Sequence, residues 1–177
     1  SDRTLRTMRR RYNTGRFRDA VALLRERLDR PAITTDLIVG SPGETRADFD
    51  ESRDFCEEMA FAKMHVFPYS TRRGTPAATM PDHVPSNEIH RRKQVMADLD
   101  DLMARRFKES FLGETVPILF EERRAPGGDR LTGLSDRFLR VEASGPDALM
   151  NQIVPVTLDA VEGSVLRGRL VGSMTAP

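Results

Sequence analysis

Ile33-Thr34-Thr35-Asp36-Leu37-Ile38-Val39-Gly40-Ser41-Pro42-Gly43-Glu44-Thr45 decides how this chain of 177 residues folds. The apolar run Leu37-Ile38-Val39 predicts a strand from Ile33 to Val39, covered on both faces as in a parallel sheet. Gly-Ser-Pro-Gly then forces a turn, and Thr45 with Asp48 reads as a capping box opening a helix. A strand that runs into such a turn and then a helix sets backbone donors at its carboxyl end, where α/β proteins bind ligands. One helix later, Lys63 to Phe67 predicts a second buried strand, ending in His65-Val66-Phe67-Pro68-Tyr69-Ser70. Two such strand ends side by side are expected to form half of a cofactor site.

Upstream, Thr14 is expected to cap a helix over 15–28 with Phe17, Val21, Leu24 and Leu28 on one face. Phe49, Phe55, Cys56 and Met59 supply the inner face of the helix after Thr45. Residues 71–85 are irregular. Ser86 then opens a long helix to about Leu112, with Ile89, Lys93, Met96, Leu99, Met103, Arg106 and Phe107 near one stripe. Helix–strand–helix–strand is βα repetition. Two strands are too few to bury this much apolar surface, so further strands are implied, and exposed sheet edges predict aggregation of the chain by itself. From Gly113 onward, short β-like runs at 115–122, 131–134, 138–141, 153–160 and 164–171 predict a small all-β, OB-like barrel, with Glu162-Gly163 turning between the last two. The expected domains are 1–112 and 113–177.

Composition narrows the classes. Hydrophobic residues make up 38% and charged residues 31%, and no apolar run approaches the ~20 residues of a membrane span. The start at Ser1, without Met, reads as an excised piece. The single Cys56 excludes an internal disulfide and any thiolate-held metal centre made by this chain alone, and fits a core thiol in a reducing cytoplasm. The net charge of +1 hides a gradient, because residues 1–30 carry ten arginines against four acids. That basic start suits phosphate on a cofactor or nucleic acid, and equally the exposed side of a helix.

The strand–turn motif, Lys63-Met-His-Val-Phe-Pro-Tyr-Ser-Thr-Arg-Arg-Gly-Thr-Pro-Ala-Ala78 and the opening Ser1-Asp-Arg-Thr-Leu-Arg-Thr-Met-Arg-Arg-Arg-Tyr12 together resemble the radical S-adenosylmethionine methylthiotransferases. The resemblance spans all 177 residues, and the terminal module is similar to the TRAM domain that ends those enzymes. It implies an α/β fold, the C-terminal part of a partial parallel (β/α) barrel, followed by the TRAM barrel. The implied activity is methylthiolation of carbon 2 of N6-threonylcarbamoyladenosine in tRNA. His65 to Ser70 and Met8 to Tyr12 look most like that branch, and branches acting on isopentenyladenosine in tRNA or on a ribosomal protein are the alternatives. The implied cofactors are S-adenosylmethionine and two 4Fe–4S clusters. Clusters need thiolates that a chain with one cysteine lacks, so the fragment by itself is expected to be inactive and to need the missing N-terminal portion of the same protein. A stand-alone RNA-binding module on an α/β scaffold is the reading from another class.

By the same resemblance, Asp36, Ile38, Gly40, Pro42, Gly43 and Glu44 match the cofactor-binding strand and turn, and Phe67, Tyr69 and Ser70 match the next strand end. One of Arg9, Arg10 and Arg11 borders the methionine end of the cofactor, with Arg9 and Arg11 as the candidates. Physically, Gly40 and Gly43 admit a close ligand and Ile38 offers adenine a flat apolar surface. The plainer alternative is that any βα turn favours Gly and Pro, and that Glu44 serves a helix N-terminus. Arg72 and Arg73, with Arg124, Arg137 and Arg140 in the barrel, are the candidate RNA contacts. Phe138 is the main aromatic for base stacking. His65 is expected to be a core residue, and no residue is assigned a catalytic role.

Overall fold

A computed structural model describes residues 1–172, and its backbone contacts separate Ser1–Ala104 from a second unit that begins at Arg105. The first unit runs α1 (Asp2–Thr7), α2 (Thr14–Arg27), β1 (Thr34–Val39), α3 (Arg46–Met59), β2 (Lys63–Pro68) and a 3-10 turn at Pro76–Thr79, then α4 (Ser86–Glu109). The unit boundary falls inside α4.

β1 and β2 lie parallel in a two-stranded sheet, in a register that pairs Asp36 with His65, Ile38 with Phe67 and Val39 with Pro68. Val39 and Met64 turn toward the helices and join Phe49, Cys56, Met59, Met96 and Met103 in one core. Four of those seven side chains are methionines, whose flexible thioethers fill irregular gaps between helix and sheet. The opposite sheet face, with Asp36, Ile38, His65 and Phe67, is exposed. β1 is therefore buried on one side only, against the expectation of two.

Thr45 caps α3 as its sequence predicts. Its hydroxyl accepts from Asp48 N at 3.2 Å while the Asp48 carboxylate accepts from Thr45 N at 2.9 Å. Two other expectations shift. Asn13, not Thr14, is the N-cap of α2, accepting from Arg16 N at 2.8 Å, and Leu24 and Leu28 are exposed while Val21 is buried. The six-residue α1 gives no periodic signal and is new.

The second unit is a closed barrel of β3 (Thr115–Arg124), β4 (Leu131–Leu134), β5 (Arg140–Ala143), β6 (Ile153–Glu162) and β7 (Val165–Leu170), in the order β3-β4-β5-β7-β6 with β6 returning to β3. β5 and β7 pair in parallel and every other pair is antiparallel. Inward residues alternate with outward ones, so Ile118, Phe120, Leu131, Val141, Val156, Leu158 and Leu166 are fully buried in one core, as the period of two requires. Bulges in β3 and β6 supply the bending that closes so few strands.

Candidate ligand site at the strand ends

The carboxyl ends of β1 and β2 are adjacent, and the ladder continues past them, with Tyr69 N donating to Val39 O at 2.8 Å. A cavity of about 770 Å³ lies there. β1 contributes Thr35 to Val39, the end of β2 contributes Phe67 to Ser70, and α1 contributes Thr4, Leu5 and Met8. Ile38 and Phe67, cross-strand neighbours that are 40% and 50% exposed, give the cavity an apolar shelf. Two hydroxyls that belong to lining residues, Thr4 Oγ1 and Tyr69 Oη, are buried without a hydrogen-bond partner among the described residues. Such orphaned groups are costly unless something answers them.

The predicted site residues divide into two sets. Asp36, Ile38, Glu44, Phe67, Tyr69 and Ser70 line the cavity, whereas Gly40, Pro42 and Gly43 do not. Those three form a turn held from behind. Gly40 (φ 78°) donates to both oxygens of the Glu44 carboxylate, at 3.0 and 3.1 Å, and Gly43 N donates to Asp82 O at 2.8 Å. Arg92 of α4 pairs with Glu44 at 2.6 Å, the two side chains only 6% and 5% exposed, and a second bond from Arg92 reaches Glu88 at 2.9 Å. The close approach at Gly40 is to α4, because an added Cβ would sit 2.5 Å from Ile89 Cγ1.

Arg92 is the residue that sequence reasoning missed. α4 buries Arg92, Met96, Leu99, Asp100, Met103 and Ala104, while Lys93 and Arg106 are exposed. Its place four before Met96 and four after Glu88 was the available signal. Asp100 is likewise buried, accepting from Met64 N at 2.6 Å and pairing with Lys63.

Among the three N-terminal arginines, Arg10 lines the cavity and Arg9 and Arg11 do not. Arg72 lines it and Arg73 lies one residue beyond. None of these five has an ion-pair partner among the described residues. The barrel differs. There Arg124 pairs with Asp147 at 2.6 Å, Arg137 with Asp136 at 3.0 Å and Arg140 with Glu121 at 2.8 Å. In the first unit, Arg3 pairs with Asp48, and that bond, with help from Thr45 and Ser1, holds the Asp48 carboxyl well below the usual carboxylate range. Burial pushes the Cys56 thiol up to about 11. A buried, protonated thiol is no cluster ligand, and no group of three potential metal-ligating side chains gathers among the described residues. No helix among the described residues is long and apolar enough to cross a membrane.

Fold and site together define an α/β unit with a ligand cavity at the ends of parallel strands, followed by a small closed β-barrel. No family model matches the chain, but individual relatives do. It is 35% identical over 160 residues to the threonylcarbamoyladenosine tRNA methylthiotransferase MtaB of Bacillus subtilis (strain 168), covering 89% of this chain and 36% of the relative. To the tRNA-2-methylthio-N(6)-dimethylallyladenosine synthase of Maricaulis maris (strain MCS10) it is 36% identical over 173 residues, 98% of this chain and 38% of that one. A synthase of the same name from Thermobifida fusca (strain YX) is 43% identical over 122 residues, 69% of the chain and 25% of the relative. The chain belongs to the methylthiotransferase family. It spans well under half the length of these relatives.

Proposed function

We propose that this chain is the part of a radical S-adenosylmethionine tRNA methylthiotransferase that carries the last strands of a partial (β/α) barrel and a TRAM-like RNA module. The observation that carries the proposal is the cavity at the adjacent tips of β1 and β2, with an apolar shelf and two unanswered hydroxyls. A nucleoside ligand fits both features. Ile38 and Phe67 would give its purine an apolar surface, and its ring nitrogens and ribose hydroxyls would offer partners to Tyr69 Oη and Thr4 Oγ1. Arg10, which lines the wall with no ion-pair partner among the described residues, would pair with the methionine carboxylate. Asp36 and Ser70 line the same cavity as further polar contacts, while Gly40, Pro42, Gly43 and Glu44 act by holding the strand end in place.

When bound, S-adenosylmethionine supplies the methyl group and, on reductive cleavage, the means of removing a hydrogen from carbon 2 of the target adenine. The residues of this chain bind and orient it. The 4Fe–4S clusters do not fit here, since the one thiol is buried and protonated, so their ligands are assigned to the portion of the protein outside this chain.

For the substrate, the relatives named for threonylcarbamoyladenosine and for dimethylallyladenosine match about equally. The strand end His65 to Ser70 and the segment Met8 to Tyr12 favour the threonylcarbamoyladenosine branch. The test is to delete the gene, restore it, and analyse tRNA nucleosides by mass spectrometry. The 2-methylthio form of N6-threonylcarbamoyladenosine should vanish and return. If the dimethylallyl nucleoside responds instead, the branch changes, and if neither responds the proposal fails.

A further inference from the structure

Phe138 is 80% exposed, more than any other large hydrophobic residue among those described, and its backbone sits in the left-handed region at φ 57°. Both features disfavour a phenylalanine, which gains by burial and strains at positive φ. The loop between β4 and β5 enforces them. Ser135, itself buried, accepts through its hydroxyl from Arg137 N at 3.1 Å and Leu139 N at 3.2 Å, and its carbonyl accepts from Phe138 N at 3.1 Å. The neighbours on either side are pinned inward. Leu139 is 3% exposed in the barrel core, and the Arg137 guanidinium lies 5.7 Å from the centre of the Phe111 ring. A braced loop therefore holds one aromatic ring out into solvent, with Asp136 and Arg137 just before it in the chain.

We propose that Phe138 is a stacking platform for an unpaired nucleobase of the RNA that the barrel engages. This rests on the tRNA reading above and adds the residue and the mode of contact. A flat, isolated ring with charged neighbours matches the π-face of a base, which every nucleotide presents. Arg124, Arg137, Arg140 and Arg167 pair with acids of the barrel, so base stacking is the contact this loop offers. Phosphate contacts fall to unpaired arginines such as Arg72.

The test uses the full-length protein and unmodified tRNA, with binding measured across a range of salt concentrations. Phe138→Ala and Phe138→Leu should each bind about 5- to 150-fold more weakly than the parent, the range expected for one stacked base. The dependence of log K on log salt should not change. Phe138→Trp should retain binding, and its added emission, taken as the difference from the parent, should be quenched by tRNA. Arg72→Ala should instead reduce the salt slope by about one. Parent-like binding by Phe138→Ala overturns the inference, as does parent-like binding by Phe138→Leu, which would mark a merely apolar contact. A parent protein that does not bind tRNA at all removes the RNA reading and this inference with it. Unchanged melting of the exposed-site variants separates these outcomes from misfolding.

Discussion

At Gly40 two demands coincide on one residue. Its φ of 78° disfavours any side chain, and a Cβ would meet Ile89 Cγ1 at 2.5 Å. Gly43 has nearly the same φ, 77°, but nothing lies within 4 Å of its missing Cβ. Gly43→Ala should therefore cost only the left-handed strain, about 1–2 kcal/mol. Gly40→Ala should cost that plus about 1–3 kcal/mol of overpacking, and Ile89→Ala in the same chain should recover part of the excess. Denaturant midpoints of the four proteins decide it, and equal losses at the two glycines would refute the assignment. Asp48 makes a prediction of opposite kind. Its folded pKa lies below the unfolded value, so it contributes stability above about pH 4, and that contribution is lost as pH falls through the folded pKa. Asp48→Asn should be less stable than the parent at pH 7 and should lose less on acidification to pH 3. Parallel losses in the two proteins would show that Arg3 does not hold the carboxylate.

At the scale of the element, α4 acts as a brace behind the turn after β1. Arg92, reaching Glu44 and Glu88 together, ties the N-terminal half of the helix to the segment that fixes the strand end. Removing one member of a buried pair leaves an uncompensated charge, so Arg92→Met should cost about 3–5 kcal/mol, whereas Arg92→Met with Glu44→Leu should recover much of it. Urea titrations of the two variants give the measurement, and a loss below 1 kcal/mol in the single variant would deny the pair this role. The same helix marks the limit of what was legible in sequence. Its length and the stripe through Met96, Leu99 and Met103 follow from apolar periodicity, because apolar residues report their burial directly. Arg92 and Asp100 sit on that stripe too, but a charged residue declares burial only through a partner remote in sequence, here 48 and 36 residues away. For the same reason Gly40 and Glu44 were legible as a special turn, and the contact that makes them special was not. The barrel was easier, since five short β-like runs with Gly and Pro between them point to a small all-β module, and the strands fall within a few residues of their expected places, though their order around the barrel was not read.

At the scale of the whole molecule, the two units manage their sheet edges in opposite ways. The barrel closes on itself, β6 returning to β3, and has no free edge. The sheet of the first unit has two strands, so β1 and β2 each present an outer row of backbone donors and acceptors with no ladder partner among the described residues. Ile38 and Phe67 stay half-exposed on its open face. Unpaired edges recruit strands, and the proposed reading assigns those strands to the part of the protein outside this chain. Hydrogen exchange tests this directly. In the chain alone at low concentration, about half the amides of β1 and β2 should exchange fast, since alternate residues of each strand face outward, while Val156, Leu158 and Leu166 of the barrel stay protected. In the full-length protein the outward amides of β1 should become as slow as the inward ones. If they exchange equally fast in both, no strand adds to that edge, and the partial-barrel architecture is wrong. If they are already slow in the chain alone and the protection rises with concentration, copies of the chain are pairing edge to edge, the aggregation expected of so short a sheet.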